Sequence, residues 1–235
     1  MTFRPYPLLS LFTLAALALL VWLGSWQLDR RAWKAALLQD FAATRDAPAV
    51  SLSEALCGGA AAPGRGVRLE RGPVSARFVR VYGIGPEGGP GWRIFAPIAA
   101  PDCTDAQALL VEVRFDPLDT ARAGASGLPA GAAPVDALRL ERPRARGAFT
   151  PQSGRDGFYA YAPQLMEAAL ELPDGALARD WWLARDTGAA PDHLTQTPPE
   201  RHLAYAITWF LMAIALIAVY LAFHWRAGRL HLRRE

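Results

Sequence analysis

The chain has 235 residues, with 25 Lys and Arg against 22 Asp and Glu, and 52% of it is hydrophobic. The formal charge of +3 comes mostly from a basic C-terminal tail; no basic stripe with interleaved aromatics runs through the middle, which excludes nucleic acid as a partner. The hydrophobic excess gathers at the two ends, which excludes an ordinary water-soluble chain.

Pro5 to Leu28 carries no charge. A helix rises about 1.5 Å per residue, so about 20 residues cover a hydrocarbon core of about 30 Å. Lipid offers no partner to free backbone N–H and C=O groups, so such a segment has to be helical. The spacing predicts a transmembrane helix over 8–28. A cleaved signal peptide is the competing reading, but its apolar region is usually about 7–15 residues long. Trp22, Trp26 and Gln27 stand where a small-residue cleavage site would be needed. Trp33, Leu37 and Phe41 then recur at i, i+4 and i+8 with no breaker before Pro48, so the helix is expected to continue to about Thr44.

Residues 45–200 read as an extracytoplasmic α+β domain. Gly- and Pro-rich stretches at Gly58–Gly66, Gly83–Gly91 and Gly124–Pro134 mark loops. Ala108–Phe115 alternates, with Leu109, Val111, Val113 and Phe115 on one side and Glu112 and Arg114 on the other. Trp92–Ile98 alternates likewise, and Ser75–Tyr82, Pro134–Arg142 and Trp181–Arg185 are weaker strand candidates. Period-two alternation implies strands with one buried and one wet face. Pro163–Leu172 reads as a helix, with Pro163 in its first turn and Asp174-Gly175 as its stop. The fold class expected is a membrane protein of α+β type: two transmembrane helices flank a mainly antiparallel β domain with one or two helices.

Leu203 to Trp225 is the second apolar run, with His224 its only titratable residue besides tyrosine. It reads as a transmembrane helix over 203–225, followed by a basic tail over 226–235. Arg226, Arg229, Arg233 and Arg234 follow this helix, whereas Arg201 beside Glu200 precedes it. The positive-inside rule puts that tail, and with two spans both termini, in the cytoplasm. Arg30, Arg31 and Lys34 after the first helix run against this trend and need another explanation. No Ser- and Arg-rich presequence precedes the first span, so a bacterial inner membrane with a periplasmic domain is expected rather than a mitochondrial one. There Cys57 and Cys103 are free to form a disulfide, and both the bonded and the free state stay open.

Enzyme signatures are missing: the chain has no G-x-S-x-G, no H-E-x-x-H, no P-loop and no dinucleotide fingerprint. His193 reads as a solvated loop residue. Met1, Met166 and Met212 are too scattered for copper handling, which uses clustered thiolates or thioethers. The informative residues lie at the outer ends of the two membrane helices. His202, Tyr205 and Trp209 share a helix face at i, i+3 and i+7. Trp22, Trp26 and Trp33 share another, with Arg30 close by. Aromatic belts and snorkelling cations at a bilayer interface account for such a pattern. So does a site for a flat, amphipathic, anionic ligand such as a porphyrin. His202 would ligate iron, while Arg30, Arg31, Lys34 or Arg201 would pair with propionates.

The two ends resemble the surfeit locus protein 1 family of cytochrome c oxidase assembly factors. The pattern G-x-W-Q-x-x-R-x-x-W-K stands at Gly24, Trp26, Gln27, Arg30, Trp33 and Lys34, and H-L-x-Y-A-x-T-W-F runs from His202 to Phe210. Gly91–Ile98 is similar to the family's G-x-x-x-x-x-P segment. Val111–Phe115 is a diverged form of its V-N-R-G segment, and Arg201 stands where Asn is frequent. The resemblance implies a two-span membrane protein that is no enzyme. It would bind haem a transiently at the outer interface, with His202 as iron ligand and Tyr205, Trp209, Trp26, Arg30 and Arg201 around it. It would deliver the haem to oxidase subunit I, with haem a synthase as a further partner. The alternative is a scaffold that stabilises an oxidase intermediate without binding haem. A sensor is the weakest reading, because the ten residues after Trp225 are too few for an output domain.

Overall fold

A computed structural model describes residues 2–69, 77–85, 88–118, 137–143, 147, 149–188 and 190–231. The chain divides into two compact units, one made of Met1–Gln39 with Pro191–Glu235 and the other of Asp40–Ala190.

In the first unit, strand β1 (Thr2–Phe3) precedes helix α1 (Pro7–Asp46), whose last turns belong to the second unit. Short helix α4 (Asp192–Thr195) leads to helix α5 (Pro199–Arg226) and strand β9 (Leu230–His231). Pro198 caps α5 and Pro199 opens its first turn, where a missing N–H costs nothing. Glu200 in that turn complements the helix dipole. Both long helices are apolar and long enough to cross a membrane. β1 and β9 pair antiparallel, Phe3 opposite Leu230, and join the two chain ends.

The second unit is a seven-stranded mixed sheet in the order β2-β3-β7-β8-β6-β5-β4. Its strands are β2 (Val50–Ser51), β3 (Gly66–Arg68), β4 (Val79–Ile84), β5 (Pro90–Ala99), β6 (Ala108–Pro117), β7 (Leu138–Glu141) and β8 (Trp182–Arg185). Four pairings are antiparallel, while β2–β3 and β6–β8 are parallel, so the mainly antiparallel sheet is a mixed one. Helix α2 (Leu52–Cys57) covers one face with Leu52 and Ala55, against Val67, Ile98, Leu109, Val111, Leu138, Leu140 and Leu183. Helix α3 (Pro163–Leu170) covers the other with Met166 and Leu170, against Val79, Val81, Phe95, Leu110 and Trp182. The loop expected at Gly124–Pro134 lies outside the described residues, as do the first residues of the strands expected at Ser75 and Pro134.

The structure differs from three of these expectations. The strands have no wet face at the sheet centre: Glu112 is buried on the α3 face, because Arg93 reaches it. The alternation along β6 also breaks. Ile94 pairs with Arg114 but Phe95 with Glu112, which leaves Val113 as a bulge. A bulge flips every later side chain, so Phe115 lies on the opposite face from Leu109 and Val111. Finally, α3 stops before Asp174-Gly175. Glu171 already adopts a left-handed backbone, φ 54° and ψ 42°, two residues ahead of Pro173, which cannot continue a helix.

Helix α2 and a buried ionic cluster carry no periodic signal in the sequence. Ser51-Leu-Ser-Glu54 is a capping sequence, and the Ser51 hydroxyl accepts from the Glu54 N–H at 3.1 Å to start α2. The helix is six residues long, too short for a periodic signal. Cys57 at its end is disulfide-bonded to Cys103. Arg93, Glu112 and Glu141 form a buried ionic triad, Arg93 donating to Glu112 at 2.8 Å and to Glu141 at 3.1 Å. Burial pulls the Arg93 pKa down, but the two carboxylates and their hydrogen bonds outweigh it and raise it. Glu112 also accepts from the Arg185 N–H, so the triad is fully used in holding β5, β6, β7 and β8 together.

Candidate functional site

The site candidates lie in the first unit, where α1 and α5 run antiparallel. Half-buried or buried residues along α1 are spaced by three or four: Ser10, Thr13, Leu17, Leu20, Gly24, Gln27, Arg30, Lys34. Along α5 the matching seam is His202, Ala206, Trp209, Ala213, Leu216, Tyr220, His224. A 3.5-residue period keeps one stripe of each helix facing its partner over many turns. Small residues at Gly24, Ala206 and Ala213 let the helices approach.

Side chains meet at three levels. At the end near the termini, His224 is fully buried among Phe3, Tyr6, Tyr220 and Phe223. Its Nδ1 donates to the Tyr220 carbonyl at 2.9 Å, and its Nε2 accepts the Tyr6 N–H at 3.3 Å. The Ser10 and Tyr220 hydroxyls bond one turn further in. Past the middle, a Cβ at Gly24 would lie 2.7 Å from the Phe210 ring, so only glycine leaves room for that ring.

At the opposite end His202 Nδ1 lies 2.8 Å from Gln27 Oε1. A carbonyl oxygen only accepts, so Nδ1 carries the proton and Nε2 the electron pair. Burial, and then the positive charges of Arg30 and Lys34, push the His202 pKa below its ordinary value, which favours the neutral ring. Burial and Arg30 lower that of Lys34 in the same way. A neutral imidazole can lend the electron pair of its unprotonated nitrogen to a metal, and cations beside it can pair with carboxylates.

The helix ends thus bring His202 together with Arg30 and Lys34. Arg30 also stacks over Trp33 at 4.1 Å from the ring centre. Trp209 is half-buried in the seam. Trp26 and Tyr205 are 43% and 50% exposed, and Arg201 is exposed. Among the described residues no ring-to-ring pair links Trp26, Tyr205 and Trp209, and no group of three or more His, Cys, Asp or Glu gathers as a metal site. The side chain of His193 lies outside the described residues. Sequence reasoning passed over Gln27 as a site residue. It stood in the quoted motif, but its partner is 175 residues away, and only the antiparallel helix pairing joins them.

The model of the SURF1 family matches residues 14–214, a stretch that takes in most of both helices and all of the sheet. The chain belongs to the SURF1 family. This is a family of assembly factors associated with cytochrome c oxidase, and it is not a known enzyme family. No curated protein matches this SURF1-family chain. Of the residues that meet between α1 and α5, those from Gly24 to Lys34 and from His202 to Phe210 fall inside the stretch matched to the family, whereas Ser10, Tyr220 and His224 lie outside it.

Proposed function

We propose that this SURF1-family chain crosses a bacterial inner membrane twice and serves oxidase assembly by holding haem a at the outer lip of its helix pair. Haem a is its cargo, and cytochrome c oxidase subunit I is the recipient, with haem a synthase upstream. His202 would bind the iron through Nε2. Arg30, Lys34 and Arg201 would pair with the propionates, and Trp26, Tyr205 and Trp209 would cover the macrocycle. The observation that carries this reading is the Gln27–His202 contact, which closes the two helix ends on each other and leaves the other imidazole nitrogen without a partner among the described residues. Cations outside the first helix, contrary to the positive-inside trend, are then accounted for by the carboxylates they serve. Binding a reactive, poorly soluble cofactor in this way lowers its free concentration before handover.

The exposure of Trp26 and Tyr205 favours a second reading, in which the rings form an interfacial belt and the protein is a scaffold without haem. An optical spectrum separates the two. The full-length protein is purified in detergent from cells that also make haem a, as wild type and as His202→Ala. The haem reading expects a Soret band in the wild type that is lost or shifted in the variant. No band in either protein, with subunit I still captured by both, sinks the haem reading and leaves the scaffold.

A further inference from the structure

Among the polar side chains at the helix ends, Gln27 has no use in a belt or in a propionate clamp. Gln27 faces the seam, with its amide oxygen 2.8 Å from His202 Nδ1. A histidine ring has two nitrogens and, when neutral, one proton, so whichever nitrogen is bonded to an acceptor determines which one can ligate a metal. We propose that Gln27 is a positioning residue: its carbonyl takes the His202 Nδ1 proton and leaves Nε2 as the ring's sole electron-pair donor. This rests on the reading of His202 as an iron ligand.

Two further features of the structure fit this role. Gly24 lies one turn before Gln27 on α1, and the Phe210 ring fills the space its missing side chain leaves, which sets the distance between the helices where the bond forms. His224 provides an internal comparison. Its Nδ1 also faces an acceptor, but its Nε2 is already occupied by the Tyr6 N–H, so that ring is fully satisfied and has no electron pair left for a ligand. His202 has the same protonated nitrogen and an unassigned partner on the other side.

The test uses the full-length chain in detergent, with 15N-labelled histidine, in wild type, Gln27→Met and Gln27→Glu. Met keeps the size and removes the acceptor; Glu keeps the acceptor. Nitrogen shifts of the unloaded protein read the tautomer directly, and titration with ferrous haem b reads the affinity. The wild type and Gln27→Glu are expected to hold His202 in the Nδ1–H form. Gln27→Met should release it to the Nε2–H form that free histidine favours and weaken haem binding by about 10–100-fold, as loss of a ligand's supporting hydrogen bond usually does. A Gln27→Met protein that keeps the Nδ1–H form overturns the proposal. So does one that loses it and binds haem as tightly as wild type. If the tautomer responds as expected while no variant takes up haem, Gln27 does orient His202, and it is the haem reading that fails.

Discussion

At the scale of single residues, the first unit depends on two fits. Gly24 is needed because a Cβ there would run into Phe210, and the same approach brings Gln27 to His202. Gly24→Leu should wedge the helices apart and weaken haem b binding roughly tenfold or more, through loss of the supporting contact. Pairing it with Phe210→Ala should return much of the affinity, because the removed ring makes room. A titration series of the two single variants and the double variant reads this as a coupling; additive losses would show that the two positions do not interact. In the second unit, Tyr161 donates to the Ala178 carbonyl, and its pKa is pushed up to about 12 by burial, then by the Glu167 carboxylate, with Arg179 opposing and Asp180 adding. Between pH 10 and 12 the folded protein keeps a proton that the unfolded chain sheds, so this contribution to stability is whole below pH 10 and is lost as pH rises towards 12. Denaturant melts of the full chain over that range should fall less steeply in Tyr161→Phe than in wild type.

At the scale of elements, local signals worked where a run was long and uninterrupted. The i, i+4, i+8 pattern of Trp33, Leu37 and Phe41 carries α1 beyond its apolar part, and the helix ends at Asp46. Phe41 is buried under the Arg139 guanidinium and against Gly64, where φ is +90°. The alternation in β5 and β6 revealed strands but not their surroundings. A polar residue in a strand normally marks the wet face; here Glu112 and Glu141 pair with the same Arg93 inside, so the cue pointed the wrong way. The bulge at Val113 left no mark in residue type. Two cysteines 46 residues apart could not be paired from sequence, since pairing is a matter of tertiary distance. Closing a loop of that length restricts the unfolded chain by about 4 kcal/mol. Cys57→Ser with Cys103→Ser should therefore lower the thermal midpoint of the full chain in detergent. A reductant should lower that of the wild type and leave the variant unchanged.

At the scale of the whole molecule, antiparallel helices whose ends are tied by β1 and β9 put the N-terminus and the C-terminus on the same side of whatever the helices cross. That fits two spans with both termini in the cytoplasm, the orientation proposed from the basic tail. A green fluorescent protein fused after Glu235 should be bright in intact cells. A cysteine introduced as Phe149→Cys, at a fully exposed position, should react with a membrane-impermeant maleimide added to intact spheroplasts. A dark fusion with a protected cysteine would reverse the orientation.

The sequence alone determined the two long apolar helices, the strand-rich middle and the motifs at the helix ends, because apolar length, period and composition are local properties of the chain. Only the tertiary structure decided which residues touch: Gln27 with His202, Cys57 with Cys103, Arg93 with two carboxylates. Each of those contacts joins positions that local energetics leave independent. What makes them neighbours is the requirement that long helices bury a common seam and that charges leaving water find opposite charges.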